Sequence, residues 1–242
     1  MTELTPYDGV LLVDKPAGWT SHDVVAKVRA HFRLKKVGHC GTLDPMATGL
    51  LVLVLGRATR LSEKLLSDDK TYEGAVLLGV TTNTDDADGS VLETKAVPPL
   101  TEEAVRAVLQ KFKGDIYQTP PMVSAIKHEG TPLYKLARKG VEIQREPRLI
   151  HIYDLRLLAL EPPRLRFRLA CSKGTYVRTL AADIGRELGC GGHLAELRRT
   201  AAGAFSLEQA HKLDQIIANP KNDLPQWIVP MMDVLRTLAA GS

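Results

Sequence analysis

Residues 38–55 leave this chain little freedom of fold: GHCGTLDPMATG runs straight into LLVLVL. The first segment is too rich in Gly, Thr, Asp and Pro to form a regular element, while the second is an unbroken apolar run of strand length. A structured loop therefore borders a buried strand. The chain starts in a related way. GVLLVDK reads as a short buried strand stopped by Lys15-Pro16 and Gly18, after which Thr20 or Ser21 caps a helix with Val24, Val25, Val28 and Phe32 on one face.

Further along, TYEGAVLLGV at 71–80 suits another strand, followed by TTNTDDADGS, a turn-rich loop whose carboxylates and amides hydrogen-bond locally. Thr101 caps a helix with Glu102 and Glu103 in its first turn, where acids favour the dipole, and Val105, Val108, Leu109 and Phe112 on its apolar face. Prolines and glycines forbid a long helix over 119–133, and PLYKLARKG reads as a short basic helix ending at Gly140. Residues 119–148 are thus an irregular excursion. Residues 149–160 and 164–171 form a strand pair; in its second strand Arg164, Arg166 and Arg168 alternate with apolar residues, which makes one face basic. A helix opens just after Gly174, and Ser206 with Gln209 makes a capping box for a last helical stretch. Strands and helices interleave without repeat or linker, so the chain reads as one continuous α+β domain with an insertion.

At 242 residues and 44% apolar content the chain can bury an ordinary core. It contains no apolar run of the roughly eighteen residues that suggest a membrane span, and MTELTPYDG has neither a basic start nor an apolar h-region. Cys40, Cys171 and Cys190 are odd in number and widely spaced, which argues against a disulfide framework. A cytoplasmic protein is expected. A net charge of +4 is too mild to prove a polyanionic partner, but its distribution is uneven. From Lys127 to Arg148, the basic residues Lys127, Lys135, Arg138, Lys139, Arg145 and Arg148 face only Glu129, Glu142 and Glu146, a local excess of +3.

Two segments could carry chemistry. Asp44 precedes Pro45, which biases it toward extended backbone, and glycines at 38, 41 and 49 allow close approach to a ligand, with His39 five positions upstream. Turn chemistry alone reads Asp44 as a turn or cap residue. Lys173 to Arg178, KGTYVR, combines a glycine, an aromatic face and an arginine able to clamp a carboxylate or phosphate; packing and surface roles are the plain alternative. A phosphate loop is excluded because no GxxxxGK[ST] is present. Cys190 and His193 have ligand-like spacing, but a lone pair does not make a zinc site.

Taken together the segments resemble the TruB family of tRNA pseudouridine-55 synthases. The matching motifs are DKPAGWTSHD at 14–23, GHCGTLDPMATG at 38–49, DKTYEG at 69–74, TNTDDADG at 82–89, QTPPMVSAIKHEGTPLYKLARKG at 118–140, REPR at 145–148, CSKGTYVRTLAADIG at 171–185 and HLAELRRTAAGAF at 193–205. The resemblance implies a pseudouridine synthase fold: a central mixed, mostly antiparallel sheet flanked by helices, with 119–148 an RNA-binding insertion that closes on RNA. It implies that Asp44 is the catalytic aspartate, that Arg178 pairs with it, and that Tyr72 stacks on the target uracil as a candidate proton acceptor. His39 matches the histidine that stacks in the T loop, and Leu197 the apolar pocket wall. Lys15 and Pro16 have a supporting role, and Asp86 makes the main acidic contact of its loop. Tyr176, Lys127, Arg138, Arg145 and Arg148 are the remaining RNA contacts expected. The reaction breaks a glycosidic C–N bond and forms a C–C bond without redox change, so neither metal nor cofactor is expected; the partner is the T arm of tRNA, and the protein is expected to act as a monomer.

Two positions depart from the family pattern, Asn83 where an aspartate is usual and Val123 where an aromatic residue is common, and no small C-terminal RNA-binding domain of the PUA type is expected beyond PMMDVL. Two related roles compete with the tRNA enzyme. One is the guide-RNA-directed branch of the superfamily, marked by basic tails and extra domains; the other is a non-enzymatic RNA chaperone, for which Asp44 would be dispensable.

Overall fold

The computed structural model describes residues 4–66, 68–124, 126–133, 136, 140–141 and 143–240. In chain order its elements are β1 (Gly9–Lys15), α1 (Ser21–His31), β2 (Val37–Cys40), β3 (Thr48–Leu55), α2 (Ser62–Leu66), β4 (Lys70–Leu78), β5 (Val80–Thr82), β6 (Val91–Thr94), α3 (Glu102–Gln110), β7 (Gly114–Gln118), β8 (Lys127–His128) and β9 (Thr131–Pro132). They continue with β10 (Arg148–Glu161), β11 (Arg164–Cys171), α4 (Val177–Glu187), β12 (Gly192–Ala202), β13 (Phe205–Ser206), β14 (His211–Lys212), α5 (Leu213–Ile217), β15 (Ile228–Pro230) and α6 (Met231–Ala240). Two compact units result, residues 1–72 with 198–242, and residues 73–197. The chain passes from the first to the second within β4 and returns within β12.

In the first unit the strand order is β14, β1, β3, β12. β1 and β3 pair antiparallel along their length, from Gly9 opposite Leu55 to Lys15 opposite Gly49. β14 joins β1 in parallel and β12 joins β3 in parallel at Arg198 and Arg199, while β15 and β2 pair antiparallel with β1 and β3. All six residues of LLVLVL are 2% exposed or less. With both faces covered, alternation is unnecessary and the run stays apolar throughout. Val10, Leu12, Leu50, Val52 and Val54 pack with Leu65, Phe205 and Val234. Helix α1 starts as expected: the Thr20 hydroxyl accepts from the Asp23 amide while the Asp23 carboxylate accepts from the Thr20 amide, and Val24, Val28 and Phe32 are fully buried.

In the second unit the order is β4, β11, β10, β7, with antiparallel β10–β11 and β10–β7 pairings. β5 and β6 make a separate hairpin, as do β8 and β9 within the insertion. Thr101 caps α3, which buries Val105 and Leu109. The pairings are mixed but mostly antiparallel, and the α+β expectation is met. Among the described residues no helix is long and apolar enough to cross a membrane. Cys40, Cys171 and Cys190 are buried free thiols.

Three expectations need correction. Residues 38–40 belong to β2, because main-chain pairing with Val54, Leu53 and Val52 of β3 does not require strand-forming side chains; the irregular part is only 41–47. The capping box at Ser206 and Gln209 forms but starts a single 3₁₀ turn, Leu207–Gln209, and the helices α5 and α6 come later. The arginine face of β11 is partly neutralised, since Arg164 and Arg166 both reach Glu196. Most of the expected basic helix at 132–140, Arg138 included, lies outside the described residues.

Candidate active site

In the first unit the loop 41–47 projects Asp44 between β2 and β3, and main-chain bonds fix it on both sides. Ser21 Oγ accepts from the Leu43 amide at 2.9 Å and donates to the Leu43 carbonyl at 3.3 Å. The Gly18 amide donates to the Pro45 carbonyl at 2.8 Å, and the Ala47 amide donates to the Asp44 carbonyl at 3.1 Å. Leu43 and Ala47 are buried anchors, 3% and 0% exposed, whereas Asp44 between them is half-buried. The loop thus holds a carboxylate in a fixed place without enclosing it.

Beneath it lies Lys15, 0% exposed. Its ammonium donates to the carbonyls of Pro16 at 2.9 Å, Trp19 at 2.6 Å and Pro45 at 3.3 Å, which satisfies its three N–H groups. Burial pushes its pKa down to about 8; the negative charge of Asp44 acts against that fall and the positive charge of Arg199 adds to it. Lys15 and Asp44 are therefore electrostatic neighbours. Pro16 beside it is exposed.

His39 sits on β2 opposite Leu53, its ring edge-on to His22 with centroids 5.4 Å apart. Burial, with the charges of His22 and Arg199, pushes its pKa down to about 4, so the ring is neutral and suited to stacking. Cys40 next to it is inert: burial raises its thiol to about 11. Tyr72, 8% exposed, follows Lys70, whose ammonium donates to the carbonyls of Leu66 and Asp68, and Thr71, whose carbonyl accepts from Thr200 Oγ1 at 3.3 Å.

The second unit gathers Arg178, Asp86, Tyr176 and Leu197. Arg178, in the first turn of α4, is 4% exposed. It donates to the Val123 carbonyl at 2.8 Å and the Thr84 carbonyl at 3.3 Å, and lies 3.6 Å from a carboxylate oxygen of Asp86. Asp86 in turn accepts from Thr84 Oγ1 and the Asp88 amide, and Leu194 bridges it in parallel. Asp85, at φ +61°, has its pKa raised by burial, against which the charge of Arg178 acts. Tyr176, half-buried, is the N-cap of α4 and is held through its backbone: its amide donates to Gln118 Oε1 at 2.8 Å and its carbonyl accepts from Gln118 Nε2 at 3.1 Å. Leu197 on β12 is 7% exposed.

The two departures from the family pattern are accommodated. Asn83 accepts from the Ser90 amide at 2.8 Å through its side-chain oxygen, as a carboxylate would, and Val123 offers Arg178 its backbone carbonyl. Around the insertion, Arg145 donates to the Pro120 carbonyl at 3.0 Å, Arg148 is exposed at the start of β10, and Lys127 lies in the small hairpin. His193 Nδ1 donates to the Val80 carbonyl at 2.8 Å, and the Cys190 thiol donates to the Gly191 carbonyl, in keeping with turn and core roles. Sequence reasoning missed Arg199 and Gln118. Both lie inside recognised motifs, LRRT and QTPP, but neither motif says where the side chain points.

This sheet and these motifs define a pseudouridine synthase. The family model for TruB family pseudouridylate synthase, N-terminal domain, matches residues 29–177, and that for the tRNA pseudouridylate synthase B C-terminal domain matches 178–236. Among curated relatives, tRNA pseudouridine synthase B of Opitutus terrae is 55% identical over 224 residues, 93% of each chain. That of Syntrophotalea carbinolica is 48% identical over 95% of this chain and 75% of its own. Of the solved structures, a Cbf5–Nop10–Gar1 complex aligns with TM-score 0.76 and 30% identity, and an H/ACA ribonucleoprotein bound to a substrate RNA containing 2′-deoxyuridine with 0.72 and 27%. Each alignment covers 96% of this chain, which spans 63% and 62% of those longer chains. The chain belongs to the TruB family of pseudouridylate synthases.

Proposed function

We propose that this chain isomerises uridine 55 in the T loop of tRNA to pseudouridine, with the Asp44 carboxylate as nucleophile. The observation that carries the reading is the setting of Asp44: half-buried, on a loop anchored at Leu43 and Pro45, beside the buried ammonium of Lys15. A nearby cation favours an ionised carboxylate, and a fixed loop aims it. The curated relatives named tRNA pseudouridine synthase B support the choice of tRNA.

In this reading the target uridine leaves its stack, which costs a few kcal/mol, and the neutral His39 ring fills part of the gap. Asp44 supports the cationic character that develops at C1′ as the bond to N1 breaks. The uracil turns, C5 bonds to C1′, the proton leaves C5 and N1 is protonated. Tyr72 stacks on the detached base and accepts the C5 proton; Arg178, held beside Asp86, takes the part that the family resemblance gives it. Leu197 walls the pocket and Tyr176 contacts RNA. The insertion 119–148, through Lys127, Arg138, Arg145 and Arg148, binds phosphates. The enzyme works in the cytoplasm as a monomer and needs no cofactor.

Tritium release from a T-arm stem-loop carrying 5-tritiated uridine tests this under single-turnover conditions. Wild type releases tritium and Asp44→Asn does not. No release by wild type from either the stem-loop or full-length tRNA would overturn the reading.

A further inference from the structure

Arg199 is among the largest fully buried side chains of the protein, 1% exposed. A buried guanidinium must find acceptors for its N–H groups, and without them is strongly unfavourable. The acceptors of Arg199 are two carbonyls on either side of Asp44. Its Nε donates to Leu50 at 2.7 Å and its Nη2 to Gly41 at 3.0 Å. One planar side chain thus joins the start of the loop to the third residue of β3, the strand that follows it.

The glycines of the loop point to the same residue. Gly41 has φ +94°, and a Cβ there would stand 3.2 Å from Arg199 Nη1. Gly49 has φ +95° and pairs with Arg199 in the parallel β3–β12 ladder; a Cβ there would stand 2.3 Å from the Arg199 carbonyl oxygen and 2.9 Å from its amide nitrogen. Both positions need glycine for the left-handed backbone and for close approach to Arg199, at its guanidinium in one case and its main chain in the other. The loop is built against this one residue.

We propose that Arg199 is the positioning residue of the catalytic loop, bridging Gly41 and Leu50 so that Asp44 meets C1′ of the flipped nucleotide in reacting geometry. The proposal rests on Asp44 being the nucleophile. Arg199 is closed off from RNA by its burial, so it acts through the loop and contributes no binding energy to substrate. Lysine does not reproduce it: an ammonium keeps the charge, but its donors share one nitrogen, whereas Arg199 reaches Leu50 and Gly41 from two separate nitrogens of a planar fork.

The test separates chemistry from binding. Single-turnover tritium release at saturating T-arm stem-loop and the stem-loop Kd are measured for wild type, Arg199→Lys, Arg199→Met and Gly41→Ala, with circular dichroism to establish folding. A loop misplaced by an ångström lowers the rate by about 100-fold. Arg199→Lys is expected to lose about 10- to 100-fold in rate with Kd within about twofold of wild type, and Arg199→Met at least as much. Gly41→Ala presses on the same guanidinium from the loop side and loses rate in the same way; with Arg199→Lys it decides the matter if Arg199→Met does not fold. A folded Arg199→Lys with the wild-type rate, or a loss that appears wholly in Kd, overturns the proposal. Failure of the underlying reading looks different: wild type releases no tritium, or Asp44→Asn releases it.

Discussion

The Lys15 ammonium donates to the Pro45 carbonyl at 3.3 Å, across 30 residues of chain, and so ties the end of β1 to the residue after Asp44. Its pKa of about 8 lies below the ordinary 10.5. Between those values the unfolded chain binds a proton that the folded chain does not, so this residue makes stability rise with pH from about 8 to 10.5. Below about 8 both states are charged and the cost of burial is constant. Urea unfolding of wild type and Lys15→Met at pH 7.5 and 10 is expected to show the wild type gaining on the variant by on the order of 3 kcal/mol. Equal differences at the two pH values would mean that Lys15 is not desolvated.

Gln118 acts on the other unit as Lys15 does on the first. Its amide exchanges two hydrogen bonds with the backbone of Tyr176, two residues before Arg178. Gln118→Ala leaves the N–H and carbonyl of a half-buried residue without that partner, and is expected to destabilise the protein by about 1–3 kcal/mol, read by equilibrium denaturation. It should also lower the single-turnover rate, since the first turn of α4 carries Arg178. A variant as stable as wild type would show that water replaces both bonds.

Asn83 should be functionally neutral with respect to aspartate. Either side chain offers the Ser90 amide an oxygen, and the ion pair of the loop is made by Asp86. Asn83→Asp is expected to keep the rate and the RNA affinity within about twofold, less than 0.5 kcal/mol. A tenfold change in either would assign position 83 a direct part in the reaction.

How much of this was legible in the sequence depends on the range of each interaction. The Thr20 cap and its Asp23 partner lie three residues apart, and their bonds form as the types and spacing predict. LLVLVL announces its burial by composition alone. Residues 38–40 do not announce a strand: glycine, histidine and cysteine show no apolar alternation, and β2 exists because β3 supplies a ladder beside it. Arg199 is harder still. Its partners are backbone carbonyls 158 and 149 residues away, groups that every residue possesses, so no side-chain pattern marks the contact. The glycines at 41 and 49 suggest close approach to a ligand; in the structure the close approach is to Arg199.

The most direct test of the central claim is the position of the product. An unmodified full-length tRNA transcript is incubated with the enzyme, treated with a carbodiimide that leaves a lasting adduct on pseudouridine, and read by primer extension. A new enzyme-dependent stop at uridine 55 of the T loop, absent with Asp44→Asn, is the predicted result. No new stop, a stop elsewhere, or the same stop with Asp44→Asn would contradict the account.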